Sequence, residues 1–406
     1  MPSFAPDNTD ARPRFAFLAV LVGITAIGPL SMQIFLPALP AIQSYYGVDP
    51  AAAQLTLSLS MAAIAVATLA YGPISDRFGR RPVLFAGLIL FLVGSAACAV
   101  APTILWLIVG RVVQAAGATC GMVLARAIVR DVYAAEKVPS VLAYLTMAMV
   151  VAPMMAPVAG GILTDAFGWQ SNFVAVGLIG IVILWAVCNR LEETNTTTPT
   201  HRGLAGMIEG SRLLLRSPRF NGFAFQGAFA LSVFFVFASA APYVMVDVLG
   251  RPASEYGFYF VLVSLGFMAG NFAAGKISGT VGSDRMVIAG SLLSLAGAIV
   301  GFVLIAIGVW TPWALFGPAT LVSFGSGLSL PNAQAGALGV RPKSAGTASG
   351  LSGFLQMTIA AVFAQIVGVL QNDTPYPMVI LMVIAASLSV VALLVGLARD
   401  PRSEDE

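Results

Sequence analysis

Gly72-Pro73-Ile74-Ser75-Asp76-Arg77-Phe78-Gly79-Arg80-Arg81-Pro82 is a short, charged, glycine-punctuated stretch between two long apolar runs. A second copy, Gly275-Lys276-Ile277-Ser278-Gly279-Thr280-Val281-Gly282-Ser283-Asp284-Arg285, lies 203 residues downstream, half the chain away. It keeps the glycine spacing and the basic end, and carries Gly279 where the first copy has Asp76. A motif repeated at half the chain length implies two related halves. The apolar runs on either side of it show what those halves are made of.

The 406 residues are 58% hydrophobic and 10% charged, with mean hydropathy +0.90. Soluble domains carry roughly 25% charged residues, so soluble, disordered and nucleic-acid-binding classes are excluded. Twelve apolar runs of bilayer-spanning length follow one another: 15–37, 51–72, 82–101, 103–127, 139–163, 170–190, 219–243, 255–277, 286–306, 313–334, 346–370 and 376–397. Lipid satisfies no backbone polar group, so each span must be a helix or part of a closed barrel. The runs are continuous rather than alternating, which decides for helices and predicts an all-α integral membrane protein. Asp7, Asp10, Arg12 and Arg14 precede a first run of full spanning length, which does not read as a cleaved leader.

All but three of the 21 Lys and Arg fall in one alternate set of connections or at the termini; Arg251 is in the other set, and Arg111 and Arg126 lie inside a span. The positive-inside rule then places both termini in the cytoplasm. The longest connection, 191–218, reads as a Thr/Asn/Pro-rich linker followed by a short interfacial amphipathic helix. It separates an N-terminal six-helix half, 1–190, from a C-terminal one, 219–406. The sequon Asn195-Thr196-Thr197 falls in this cytoplasmic linker and reads as chance. Cys98, Cys120 and Cys188 are scattered in apolar runs, and His201 is the one His, so neither a disulfide framework, a metal site nor His chemistry is expected. Gly270-Asn271-Phe272-Ala273-Ala274-Gly275-Lys276 has P-loop spacing, but Ile277 stands where the Ser/Thr would be and the run ends an apolar helix. With no ATP site, an ion gradient is the expected energy source and no cofactor is expected.

The segment Gly72–Arg81 closely resembles motif A (G-x-x-x-D-R-x-G-R-R) of the major facilitator superfamily. Ala152-Pro153-Met154-Met155-Ala156-Pro157-Val158-Ala159-Gly160-Gly161 resembles its motif C, associated with drug/proton antiporters, and Leu107–Ala118 with Arg111, Gln114 and Gly117 is similar to motif B. Phe35-Leu36-Pro37-Ala38-Leu39-Pro40, Arg126–Asp131 and Pro331-Asn332 resemble the Bcr/CflA group of drug exporters. The resemblance implies a twelve-helix major facilitator fold and a secondary active exporter of small drug-like molecules, coupled to protons and acting as a monomer without nucleic acid. A metabolite transporter on the same fold is the alternative. An enzyme or receptor lacks a catalytic constellation or a large soluble domain.

Several residues carry the chemistry. The resemblance implies that Asp76 caps the start of span eleven near Ala345–Gly346, forming a conformational latch with Gly72, Arg77, Gly79, Arg80 and Asp131. The plain alternative is that these charges only hold topology. Ala152, Ala156 and Gly160, and Pro153, Pro157 and Gly161, form small-residue and proline stripes suited to close helix approach; Gly266, Gly270 and Ala274 of span eight are the expected partners. Arg111 costs roughly 2.5–3.5 kcal/mol to insert, so it reads as a pathway or proton-relay residue with Gln114, or else as a structural Arg bonded to carbonyls. Gln33 stands where the group commonly has an Asp, and no Asp or Glu lies deep in a span. Further candidates for the substrate and proton pathway are Tyr243, Asn332 and Gln356, with Gln226, Phe229, Phe237 and Tyr259. Gln33 and Arg111 together point to neutral polar, phenicol-type substrates.

Overall fold

The computed structural model describes residues 15–134, 137–195 and 204–399. They form α1 (Phe15–Gln33), a 3-10 turn (Leu36–Ala38), α2 (Leu39–Tyr46), α3 (Pro50–Phe78), α4 (Arg80–Ala99), α5 (Ile104–Val132), α6 (Val138–Phe167) and α7 (Gln170–Arg190). A short α8 (Leu204–Leu215) follows, then α9 (Pro218–Tyr243), a π-helical turn (Val244–Val248), α10 (Ala253–Val281), α11 (Ser283–Ala306), α12 (Pro312–Gly339), α13 (Ala345–Leu370) and α14 (Tyr376–Ala398). Among the described residues, eleven helical segments are long and apolar enough to cross a membrane. The remaining long helix, α6, spans 30 residues with no charge between Val138 and Thr164. The architecture is all-α, twelve spans in two six-helix halves.

The internal repeat is visible in how the helices start and stop. α3 and α10 are each 29 residues long; α3 opens on Pro50 and α10 directly after Pro252. Proline suits a helix start because the N–H it lacks would be unpaired there. Both helices end on a glycine in the left-handed region, Gly79 at φ +95° and Gly282 at φ +91°. Thr103 and Thr311 play matching parts: each hydroxyl accepts from the third residue onward, Trp106 N at 3.2 Å and Ala314 N at 3.3 Å.

Two features depart from the sequence reading. The first span does not stop at 37: Pro37 and Pro40 break it at Ile34–Phe35, and the chain re-forms as the 3-10 turn and α2. The spans read as 51–72 and 255–277 extend to Phe78 and Val281. A 29-residue helix is about 43 Å long and a hydrocarbon core about 30 Å, so the charged last turns stand clear of the apolar zone that the sequence reading had measured. The helix read in 191–218 is α8; residues 196–203 lie outside the described ones.

The cores divide the molecule along its length. At the end where the chain carries Arg80, Arg81 and Arg219, hereafter the basic end, the apolar clusters are separate. One is built by Leu21, Leu84 and Leu124 of the first half with Leu191 of the connection, another by Phe220, Val287 and Ala348 of the second with Leu214 of α8. At the far end a single cluster joins the halves: Phe35, Leu57, Trp169 and Phe173 share it with Phe237, Tyr256, Phe316 and Met382. The halves meet through α3 against α13, α6 against α10, and the 3-10 turn and α2 against α9. Apolar contact between the halves is concentrated at the far end, and at the basic end each half keeps its own cluster.

Candidate functional site

Arg111 lies on α5 and is 1% exposed. Its Nη1 donates to Gln114 Oε1, one turn on, and to Ser31 O of α1 at 3.3 Å. The guanidinium sits 3.8 Å from the centre of the Phe35 ring and 5.8 Å from that of Phe173. Gln114 Nε2 passes the chain on to Ser95 Oγ at 2.8 Å, which donates to Phe91 O at 2.8 Å. Among the described residues no carboxylate pairs with Arg111, and its Nε has no partner. Its charge is therefore held by an amide, a carbonyl and two aromatic faces; a desolvated cation–π contact contributes about 2 kcal/mol. A cavity of about 10 Å³ lined by Ser31, Ser60, Arg111 and Thr119 has room for one water at most.

Gln33 closes α1 two residues after the carbonyl that Arg111 holds; its Oε1 is buried without a partner. The structure thus gathers Arg111, Gln114 and the last turn of α1 at one node. The second-half candidates do not join it. Asn332 Nδ2 donates to Leu328 O of its own helix at 2.8 Å, and Gln226 Nε2 to Ser291 Oγ at 2.9 Å, both packing bonds within that half. Gln356 lies half-buried on α13 with its Nε2 2.8 Å from where a Cβ on Gly227 would stand. About two turns further along α13, Phe363 meets Phe229 edge-on at 6.0 Å. Tyr243 sits in the far-end cluster with its hydroxyl buried and unpartnered, at the start of the π-helical turn. Phe237 and Tyr259 both pack on Phe316, at 5.2 and 5.3 Å.

At the basic end the charged loop is tied to the first half and to the start of the connection that follows it. Arg80 donates through Nη1 to Ser75 Oγ at 2.6 Å and to Asp76 Oδ1, and through Nε to Asp131 Oδ2 at 3.0 Å. The Asp76 side chain remains 59% exposed. Helix α13 starts at Ala345 with no side-chain cap, and open space surrounds Gly72 and Gly346. In this conformation Asp76 does not reach α13. Arg77 lies over the Phe78 ring at 5.2 Å.

Glu193, which the sequence reading missed, completes this node. Its Oε1 accepts from the backbone N–H of Arg80 (2.8 Å), Thr194 (3.0 Å) and Asn195 (2.9 Å), and its Oε2 from that of Arg81 (3.1 Å). Partial burial pushes its pKa up, but these backbone donors outweigh that and hold it below the ordinary value. Asn195 Nδ2 in turn donates to Asp76 O at 3.0 Å. Gly79 is required twice over: its φ is positive, and a Cβ there would lie 2.5 Å from Glu193 Oε2.

The stripes of α6 pack against two neighbours. A Cβ on Gly160 would collide with Ile34 O, just past the end of α1, and one on Gly161 would lie 2.6 Å from Ala253 O of α10. Pro157 O approaches Gly257 of α10; Ala156 is buried and Pro153 half-buried, while the Ala152 side chain lies outside the described ones. The expected partner stripe on α10 is corrected by the structure. Gly266 and Gly270 face Thr320 O and Phe324 O of α12, and Ala274 joins a cluster with Met286 and Leu328. Small residues license close approach without saying to which helix.

Residues 21–365 match the profile of the Major Facilitator Superfamily. The chain is 30% identical to an uncharacterized MFS-type transporter, YdgK, of Bacillus subtilis, over 97% of this chain and 98% of that one. It is 26% identical to a bicyclomycin resistance protein homolog of Haemophilus influenzae (94% and 96% covered) and 26% to multidrug resistance protein D of Escherichia coli (93% and 94%). Among solved structures, a bacterial homolog of the human lysosomal transporter Spinster, inward-facing and unoccupied, aligns with TM-score 0.74 at 17% identity, covering 95% of this chain and 99% of that one. A D-xylose-proton symporter aligns with TM-score 0.75 at 12% identity, covering 97% and 99%. At these identities the structural likeness speaks for the fold alone.

Proposed function

This chain belongs to the major facilitator superfamily, and from that premise we propose that it exports small drug-like molecules across a bacterial cytoplasmic membrane in exchange for protons. The names of its relatives, bicyclomycin resistance protein homolog and multidrug resistance protein D, are the observation that carries export. The working units are residues 1–190 and 219–406, joined by 191–218, and the chain acts as a monomer embedded in lipid. They rock about a site near the midplane, exposing it to one side at a time. The basic end faces the cytoplasm, by the positive-inside rule; the conformation described is then open inward. Gln33, Arg111, Gln114, Tyr243, Asn332 and Gln356 line or support the substrate and proton path.

The transported class is uncharged and polar, phenicol-type rather than cationic. Arg111 is enclosed, so it acts through its field and through the groups it positions. At about 8 Å and an effective dielectric of about 20, a second positive charge is repelled by roughly 2 kcal/mol. Gln33 brings an amide in place of an acid that would offset this, and an amide both donates and accepts hydrogen bonds.

Drug-susceptibility profiles of cells with and without the protein, combined with uptake into everted vesicles, test both parts. The expected result is resistance to neutral drugs and accumulation in everted vesicles. Gln33→Asp shifts the preference toward cations, and Arg111→Ala removes transport. Robust resistance to ethidium-like cations with none to neutral drugs overturns the substrate class; accumulation in right-side-out vesicles overturns export.

A further inference from the structure

Among the described residues, two polar clasps join the halves at the far end. Between α3 and α13, Ser58 Oγ donates to Gln365 Oε1 at 2.6 Å, and Gln365 Nε2 donates to Ala51 O at 3.0 Å. Between α6 and α10 the clasp is a single carboxylate. Asp165, in the last turn of α6, accepts from Ala253 N at 3.3 Å and from Ser254 N at 2.8 Å, the first two backbone N–H groups of α10.

The start of α10 cannot cap itself. Pro252 precedes the helix and carries no side-chain acceptor. The acid of its first turn, Glu255, faces Arg251 at 3.8 Å. The leading N–H groups of a helix have no partner within it, and here they take one from the other half of the molecule. Asp165 is equally out of place on its own helix, since a carboxylate at a helix C-terminus opposes the helix dipole. Placed against the N-terminus of α10, the same charge is favourable.

The surroundings set this reach. Gly161, one turn earlier, and Gly257, one turn into α10, let the backbones touch: a Cβ on Gly161 would stand 2.6 Å from Ser254 Cα, and one on Gly257 2.7 Å from Val158 Cα. Thr164, beside Asp165, donates to Gly160 O at 2.7 Å and accepts from Asn172 Nδ2 at 2.8 Å, which holds the last turn of α6 in place.

We infer that Asp165 is a positioning residue of the transport cycle: a helix cap supplied by one half to the other, made when the far end is shut and broken when it opens. It weights the resting equilibrium toward the conformation open at the basic end. The inference rests on the alternating-access reading above, and on no assignment of drug or of membrane orientation.

Purified protein in detergent tests it, with both faces accessible and no drug present. In a Cys98→Ala, Cys188→Ser background, one reporter is Ala364→Cys, fully buried in the far-end cluster, and the other is Gly346→Cys, in open space at the basic end. Maleimide labelling rates are compared with and without Asp165→Ala and Asp165→Asn. Loss of a helix cap corresponds to about a five-fold shift in equilibrium, so Asp165→Ala raises labelling at position 364 about five-fold while labelling at 346 falls. Asp165→Asn keeps an acceptor oxygen and stays within about two-fold of the parent. Unchanged labelling at 364, or rates rising together at both positions as unfolding would produce, overturns the inference. Opposite shifts in a protein that exports none of the drugs tested leave the inference standing and refute the export reading; intact resistance with unchanged labelling refutes the inference alone.

Discussion

The two copies of the charged loop share a backbone and differ in what surrounds it. Gly79 and Gly282 end equal-length helices at nearly the same positive φ. After Gly79 come Arg80 and Arg81, two cations at the start of α4, where the helix dipole favours anions. That unfavourable placement is offset by Asp76 and Asp131 on the Arg80 guanidinium and by Glu193 on the backbone N–H groups of both residues. After Gly282 comes Asp284, an acid already suited to a first turn, which pairs with Arg219 at 2.6 Å. Open space surrounds Gly282 and Gly279. The first copy is a built node, with several groups converging on one guanidinium; the second is a turn with an ion pair beside it. The two copies keep one backbone shape, and the converging charged groups are found at the first.

The comparison breaks most sharply at the glycines. Gly282→Ala meets only the penalty of a positive-φ, extended-ψ backbone, about 1–3 kcal/mol. Gly79→Ala meets the same penalty and drives Cβ into Glu193 Oε2, so its midpoint of thermal unfolding in detergent falls well below that of Gly282→Ala, with transport lost. Equal shifts for the two variants would erase the distinction between the copies.

The acids come next. If the proposed latch closes on α13, Asp76→Asn is expected to cut transport about ten-fold at near-normal protein level, because its carboxylate, though bonded to Arg80, stays exposed on that side; a tenfold change is about 1.4 kcal/mol, within the range of a partly buried helix-end charge. Gly279→Asp, which writes the first copy's acid into the second, leaves transport unchanged, since Ser283 stands where the first copy has Arg80. Transport assays on the pair decide whether the difference lies in the acid or in its surroundings. Asp284→Asn is smaller still, about 0–1 kcal/mol in stability as for other exposed ion pairs.

The smallest effect is a pH dependence. Glu193 titrates below its ordinary value of 4.5. Its contribution is therefore complete above about pH 4.5 and is lost as pH falls through the lowered folded-state value. Thermal unfolding of the parent and of Glu193→Gln should differ at pH 7 and converge toward pH 3. A gap that widens on acidification would reverse the assignment.

What the sequence showed and what it hid follow from the range of the interactions. The spans were legible because apolar length is local, and the repeat because Gly72, Gly79, Gly275 and Gly282 keep their spacing. The overrun of α3 and α10 was hidden, since charged last turns look like loop. Glu193 was hidden because its partners lie 113 residues earlier, at Arg80, and an acid after a span reads as linker. Gly266 and Gly270 announced a close contact, and only the fold names α12 as the helix they touch. Arg111 was legible as an anomaly, a charge in an apolar run; its enclosure by Phe35 and Phe173 was not.

The merged core at the far end and the divided cores at the basic end give mutations unequal reach, with a consequence for how such a chain evolves. Leu84 or Leu124 belongs to a cluster confined to one half, so drift there is judged on stability alone. Phe35 or Tyr256 belongs to a cluster shared by both halves, so a substitution there is judged twice, on stability and on the balance of conformations. Large-to-small changes at such aromatic positions remove about 3–5 kcal/mol of packing, enough to invert a poised equilibrium. Variants that gain a new substrate by shifting that balance should arise at the shared cluster, and they should carry a thermal cost that compensating changes in the private clusters then restore.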